Sequence, residues 1–421
     1  MKKDFWKGFL VGMSVSLFVC YSFFRIYWIL EIGVKYFRWH ATLWLYLSIA
    51  LVFAGISYLL YKSGKLKSSL WQKIYLVAFG LFAGIYLTEI FLRLSETGIT
   101  YSEQREGVFV NPAERTQRAW YITWQPNETI NLGTGKEYSF ERHANSLGLS
   151  DKEWTTHKDS SEIRIITLGD SFTEGDGAAA DSCYPRLLEY LLQKRFPQFK
   201  INVMNAGRCG SDPWFEYKKL HDLLLPYHPD MVIFTNGSND LLFDHLIYGG
   251  MERFAADSTV KSKIPQHAWL GLYEVSYVFR LLTTYFGYDE TLFSNNAREE
   301  NKTQAISDSK LLSKQYSRLA TENNFRCIQL LRPDKRELQD GVYDFNLKEL
   351  LSGSDTLKNY STFALLPFYR DSMHITEENA KDYFWLIDGH HNAKGYAAMA
   401  QGVYSFISPE LERIIKASHN R

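Results

Sequence analysis

Cysteine is scarce in this chain and neither sign of charge prevails. Four of 421 residues are cysteine and no two form a C-x-x-C pair, so no paired-thiol redox or zinc signature is present. Lys plus Arg and Asp plus Glu each number 47, giving zero formal net charge. That balance offers no basis for nucleic-acid binding or for a strongly acidic partner. No repeat or low-complexity run marks residues 96–160. Mean hydropathy is negative although long apolar runs occur near the amino terminus, so the remainder must be polar and water-exposed.

Those runs define the first region, residues 1–95. Gly8 to Phe24 carries no charge, Ala41 to Tyr61 is long enough to cross a bilayer, and Ile74 to Thr88 is a shorter run that Ile90 to Leu92 could extend past Glu89. About three transmembrane helices is the expected count. A cleaved signal peptide fits poorly, because a second membrane-length run follows within a few residues. The competing reading makes the first run interfacial or re-entrant, since Lys7 and Arg25 bracket it. Lys2, Lys3 and Lys7 precede the first run, and Lys62, Lys65, Lys67 and Lys73 crowd the second loop. The positive-inside bias then puts the amino terminus and that loop in the cytoplasm, and everything after about Ser95 outside. A two-span topology with a cytoplasmic carboxyl region is the alternative.

Residues 96–160 read as an ordered collar, and 161–415 as a larger domain with an insertion near 241–309. In that domain Ile163 to Leu168 is a short apolar, β-branched run expected to be a buried strand, and Pro185 to Phe196 a helix. Ile201 to Met204, Met231 to Thr235 and Phe325 to Leu331 are further strands, while Pro213 to Leu225 has helical spacing. Strand-helix alternation predicts an α/β fold, a doubly wound parallel sheet in three flavodoxin-like layers, preceded by the helical transmembrane region.

Four short blocks fall at the ends of these strands or at the start of a helix. They are Gly169-Asp170-Ser171-Phe172, Asn205-Ala206-Gly207, Gly237-Ser238-Asn239-Asp240 and Asp388-Gly389-His390-His391. Each alone is an ordinary turn sequence. Together they supply a hydroxyl nucleophile, N–H donors, an imidazole base and a carboxylate to hold it, the parts acyl transfer requires. Ser, Asp and His in that order also occur in α/β-hydrolases, but the G-x-S-x-G elbow is missing. The adjacent histidines have no Cys or carboxylate at metal-ligand spacing, so no metal and no cofactor is expected.

The order and flanks of the blocks resemble the SGNH, or GDSL-like, hydrolase family over about residues 160–410. The last block, Asp388-Gly389-His390-His391-Asn392-Ala393-Lys394-Gly395-Tyr396, is similar to the D-x-x-H-x-N-x-x-G-Y ending of many members. Phe172 replaces the common Leu, and Arg208-Cys209 match nothing in the pattern. The resemblance implies Ser171 as nucleophile, His391 as base and Asp388 as its orienter. Ser171 N–H, Gly207 N–H and the Asn239 amide would form the oxyanion hole, with Asp170 and Gly237 supporting the loops. His390, about 100° away if the stretch is helical, would line the cleft.

Function is expected to be a membrane-anchored serine esterase acting on an extracytoplasmic glycan or lipid. An O-acyltransferase of envelope polysaccharide with a multi-span acyl-donor partner is the alternative, because a sugar hydroxyl can replace water as acceptor. An inactive glycan-binding module is the third reading. Trp120, Tyr121 and Trp124 could line a sugar site, although packing into a small core is the commoner use of such residues. Trp269 to Tyr288 reads as a packed helix or, less favoured, a lid. Cys183 and Cys209 lie near the first two blocks, which leaves a disulfide between them open.

Overall fold

The computed structural model describes residues 124–133, 137–254 and 295–419, with scattered positions between 81 and 91 and between 260 and 282. Gly8 to Phe24, Ala41 to Tyr61, Trp120, Tyr121 and most of Ile74–Thr88 and Trp269–Tyr288 lie outside the described residues. Among the described residues no helix is long and apolar enough to cross a membrane. The chain divides into two compact units, Met1–Pro112 with Pro265–Phe293, and Ala113–Ile264 with Ser294–Arg421. The second unit contains all four sequence blocks.

An antiparallel hairpin comes first in that unit, β1 (Thr129–Gly133) with β2 (Ser139–His143). Five parallel strands come after it: β3 (Glu162–Gly169), β4 (Lys200–Asn205), β5 (Met231–Asn236), β6 (Arg326–Leu331) and β7 (Tyr360–Ala364). They lie in the order β4-β3-β5-β6-β7. β7 is the strand that sequence pattern missed, because Tyr360-Ser361-Thr362 lacks the continuous apolar run of the others.

Period-two alternation explains how the sheet is clothed on both sides. Ile163, Ile165, Val203, Ile233, Ile328 and Leu330 face one core, where they meet α2 (Tyr184–Arg195) and the long carboxyl-terminal helix through Leu188, Leu192, Met399 and Val403. Ile166, Leu168, Met204, Val232, Phe234 and Cys327 face the other, against α3 (Pro213–Lys219) and α4 (Asn295–Glu322) through Trp214, Leu312, Tyr316 and Leu319. These two layers around the sheet are the expected doubly wound arrangement.

The strand order is that of a sheet whose chain reverses direction between β3 and β5. Ligands of such sheets bind beyond the carboxyl ends at that reversal. β3 ends at Gly169, and the one-turn helix α1 (Ser171–Glu174) begins two residues later. The described part of the collar, residues 124–133 and 137–160, falls in the same compact unit as the sheet.

Candidate active site

Asp170 caps α1, accepting from Phe172 N–H at 3.0 Å, and its other oxygen pairs with Arg332 Nη2 at 2.5 Å. Arg332 follows β6 directly, and its guanidinium lies 3.6 Å from the Phe172 ring centroid. A Cβ on Gly237 would stand 2.9 Å from that guanidinium. Gly237 N–H donates to Asp240 at 2.6 Å, and Asp240 is 3.7 Å from Arg332. One buried cation therefore ties the nucleophile turn to the loop after β5.

Asp388, His390 and Ser171 form a continuous relay. His390 Nδ1 lies 2.5 Å from Asp388 Oδ2, and His390 Nε2 lies 2.7 Å from Ser171 Oγ. An ionised carboxylate can only accept, so Nδ1 carries the proton and Nε2 is left to accept from the serine hydroxyl. Burial pulls the His390 pKa down, but the hydrogen bond to Asp388 and the charges of Asp176, Asp388 and Asp170 outweigh it and raise it above the ordinary imidazole value. Burial acts to raise Asp388, yet hydrogen bonds from His390 and Tyr138 hold it below the usual carboxylate range. The two directions agree, as an ion pair requires.

His391 does not reach Ser171, contrary to the expectation from the D-x-x-H spacing. Its Nδ1 lies 3.1 Å from the Tyr383 carbonyl oxygen, and its Nε2 is buried with no hydrogen-bond partner among the described residues. The ring is enclosed by Phe172, Phe384 and Tyr396. Burial, with Arg332 and His390 nearby, lowers its pKa to about 3, which keeps it neutral. The reason for the exchange is backbone conformation. This stretch is not helical: Phe384 and His391 pair as an antiparallel bridge, and the helix starts only at Ala393. In extended chain adjacent side chains point to opposite sides. Gly389, at φ +84°, turns the chain tightly enough for Asp388 to hold a histidine two residues on. A signal for this was present: counted back from Asn392, the H-x-N-x-x-G-Y part of the ending falls on His390.

Of the expected oxyanion donors, Gly207 packs directly on α1. A Cβ there would fall 2.3 Å from Glu174 N and 2.6 Å from Thr173 C. Its N–H donates to Asn205 Oδ1 at 3.0 Å. Asn239 is exposed, whereas Ser238 and Asp240 beside it are buried.

Several residues of the site were not legible in the sequence. Glu174, fully buried, accepts from Trp124 Nε1 at 2.5 Å and Cys209 N–H at 2.6 Å and pairs with Arg208 at 3.3 Å. Trp124, half-buried, packs against Ile130 and Ala144 with the Arg208 guanidinium 3.9 Å from its ring. Asp176 has one buried oxygen without a partner among the described residues; burial and the Glu174 charge push its pKa up to about 7. Cys183, Cys209 and Cys327 are free thiols, so the Cys183–Cys209 disulfide is not formed. Among the described residues one carboxylate cluster has metal-binding dimensions, Asp334, Glu337 and Asp344. Its oxygens already accept from the Glu337, Asp334 and Asp344 N–H groups, in a helix capping box and the turn beyond it.

A family model described as the GDSL-like Lipase/Acylhydrolase family matches residues 167–398, more than half of the chain. The chain belongs to that family. All four blocks lie inside the matched span. None of the curated proteins matches it. Among solved structures, a two-domain esterase (CEX) active on acetylated mannans is 17% identical at TM-score 0.35, covering 60% of this chain and 49% of its own. The chain thus spans about half the length of that esterase. A Clostridium thermocellum family 3 carbohydrate esterase is 15% identical at TM-score 0.36, covering 61% and 99%. Axe2, an acetylxylan esterase from Geobacillus stearothermophilus, is 12% identical at TM-score 0.37, covering 58% and 94%.

Proposed function

We propose that this GDSL-like hydrolase is a membrane-anchored serine esterase that removes an acyl or acetyl group from an extracytoplasmic glycan or lipid through an acyl-Ser171 intermediate. The observation that carries the mechanism is the relay itself, 2.5 Å from Asp388 to His390 and 2.7 Å from His390 to Ser171. As Ser171 Oγ bonds to the ester carbonyl carbon, its proton passes to His390 Nε2. Asp388 stabilises the imidazolium. Collapse of the tetrahedral intermediate breaks the bond to the leaving alcohol, which takes the proton from His390. Water then enters by the same route and releases the acid. The oxyanion would draw on Ser171 N–H, on the Gly207 N–H now directed to Asn205, and on the Asn239 amide. Membrane attachment and outward orientation rest on the apolar runs and lysine-rich second loop of residues 1–95.

A fluorophosphonate should attach to Ser171 in the full-length protein, and Ser171→Ala should abolish labelling and turnover. Labelling that persists on another serine, such as Ser238, would sink the assignment. Short-chain esters, long-chain esters and acetylated glycans, each with and without an acceptor sugar, identify the substrate class. A transfer product in place of the free acid would make the protein an acyltransferase. Protease applied to intact cells should cut after Ser95 and spare Lys62 to Lys73; the reverse pattern overturns the orientation.

A further inference from the structure

The hairpin ahead of the sheet touches both ends of the relay. On one side Tyr138, buried, donates its hydroxyl to Asp388 Oδ2 at 2.8 Å, the same oxygen that His390 uses. Glu137 beside it accepts from the backbone N–H groups of Ile387 and Asp388 at 2.9 and 2.8 Å. On the other side Arg142, 2% exposed, donates to the carbonyl oxygens of Glu174, Gly175 and Ala178, each at 2.5 Å. These carbonyls belong to the end of α1 and the loop after it, directly beyond the nucleophile. The Tyr138 ring is itself fixed, stacked on Phe140 at 5.7 Å and against Trp385 at 5.2 Å. Trp385 in turn donates from Nε1 to the Gly177 carbonyl at 2.8 Å, and its N–H donates to the His390 carbonyl at 2.8 Å.

Ser171 and His390 are 219 residues apart in sequence. Their turns are short, and each is held in part by a third element, residues 137–142. All three hairpin residues lie before residue 167, where the family match begins.

We infer that residues 137–142 form an arm of the active site, and that Tyr138 is a positioning residue that acts through Asp388, completing a Tyr138–Asp388–His390–Ser171 chain. The inference rests on the esterase reading for its kinetic consequence. Its physical content is independent of substrate. A donated hydroxyl withdraws charge from Asp388 Oδ2 and fixes that oxygen against His390; the carboxylate is then neither free to rotate nor able to concentrate its whole charge on the imidazole. Asp170, Asp176, Asp388 and His391 are the titratable groups facing His390, and Asp176, Asp388 and Cys209 those facing Tyr138. Glu137 faces Asp388 through the backbone N–H groups.

Tyr138→Phe keeps both ring contacts and deletes one hydroxyl. In the full-length protein kcat for a p-nitrophenyl ester should fall on the order of tenfold with KM unchanged. Removal of the donor returns charge to the carboxylate, which favours imidazolium. The midpoint of the His390 titration, followed by NMR, should therefore rise, and the acid limb of kcat/KM should move to higher pH with it. Phe140→Leu, which disturbs the ring stack and no polar contact, should leave that midpoint in place. An unmoved midpoint in Tyr138→Phe, or an equal shift in Phe140→Leu, overturns the assignment. Should the unaltered protein hydrolyse no ester, the esterase reading fails, while the NMR midpoint still decides the role of Tyr138.

Discussion

His390 Nε2 stands 2.7 Å from Ser171 Oγ, while the next residue turns its ring into the apolar interior. The two adjacent imidazoles therefore differ in every property that matters for catalysis. One is paired with a carboxylate and biased toward the charged form; the other is enclosed and held neutral.

Substitution separates them. His390→Ala should lose turnover about as completely as Ser171→Ala, because members of a triad act as a unit. His391→Ala should instead open a cavity among Phe172, Phe384 and Tyr396, destabilising the fold by about 2–4 kcal/mol. The folded fraction should retain the greater part of its turnover per molecule. Ester hydrolysis rates beside urea melts of both variants check this; a dead but stable His391 variant would return the base to that position.

The pH profile derives from the direction of the His390 shift. The base works only when neutral, and its pKa is raised, so activity should be lost as pH falls through a midpoint above the ordinary imidazole value of about 6.5. Asp176, pushed up to about 7, contributes negative charge in the same window. Asp176→Asn removes that charge, disfavours the imidazolium and should move the acid limb of kcat/KM to lower pH. A limb that stays fixed would show that Asp176 does not act on His390.

Arg332 predicts a stability effect. Its guanidinium is buried against Asp170 and Asp240, so Arg332→Leu leaves two carboxylates without their partner. Loss of one side of such a buried group typically costs about 3–5 kcal/mol. Denaturant unfolding should show that loss, and the Arg332→Leu, Asp170→Asn pair should recover part of it. Additive losses would mean the two side chains are not coupled.

Gly207 is restricted by close approach. A methyl group there meets the backbone of Thr173 and Glu174, so α1 or the loop must shift. Gly207→Ala should lower kcat by about 10²-fold or more, the range for loss of one oxyanion donor. Near-normal turnover in a well-folded variant would remove Gly207 from the oxyanion site.

Local sequence determined the elements that local chemistry controls. Ile163 to Leu168 and Met231 to Thr235 are apolar and β-branched enough to be buried strands in any context, and both are strands within a residue or two of the expected bounds. Gly169-Asp170-Ser171 at the end of the first was legible for the same reason, since a strand that ends in a turn former presents its next residues at the sheet edge. The tertiary structure decided between the two histidines, of which the D-x-x-H spacing favours His391 and the H-x-N-x-x-G-Y spacing favours His390, because one residue of register in extended chain reverses a side chain, and a bridge to Phe384 set that register. It alone brought Tyr138, Arg142 and Arg332 to the site. Each is an ordinary residue in its own neighbourhood, and each acquires its role from a partner between 32 and 250 positions away, a distance over which periodicity and motif spacing carry no information.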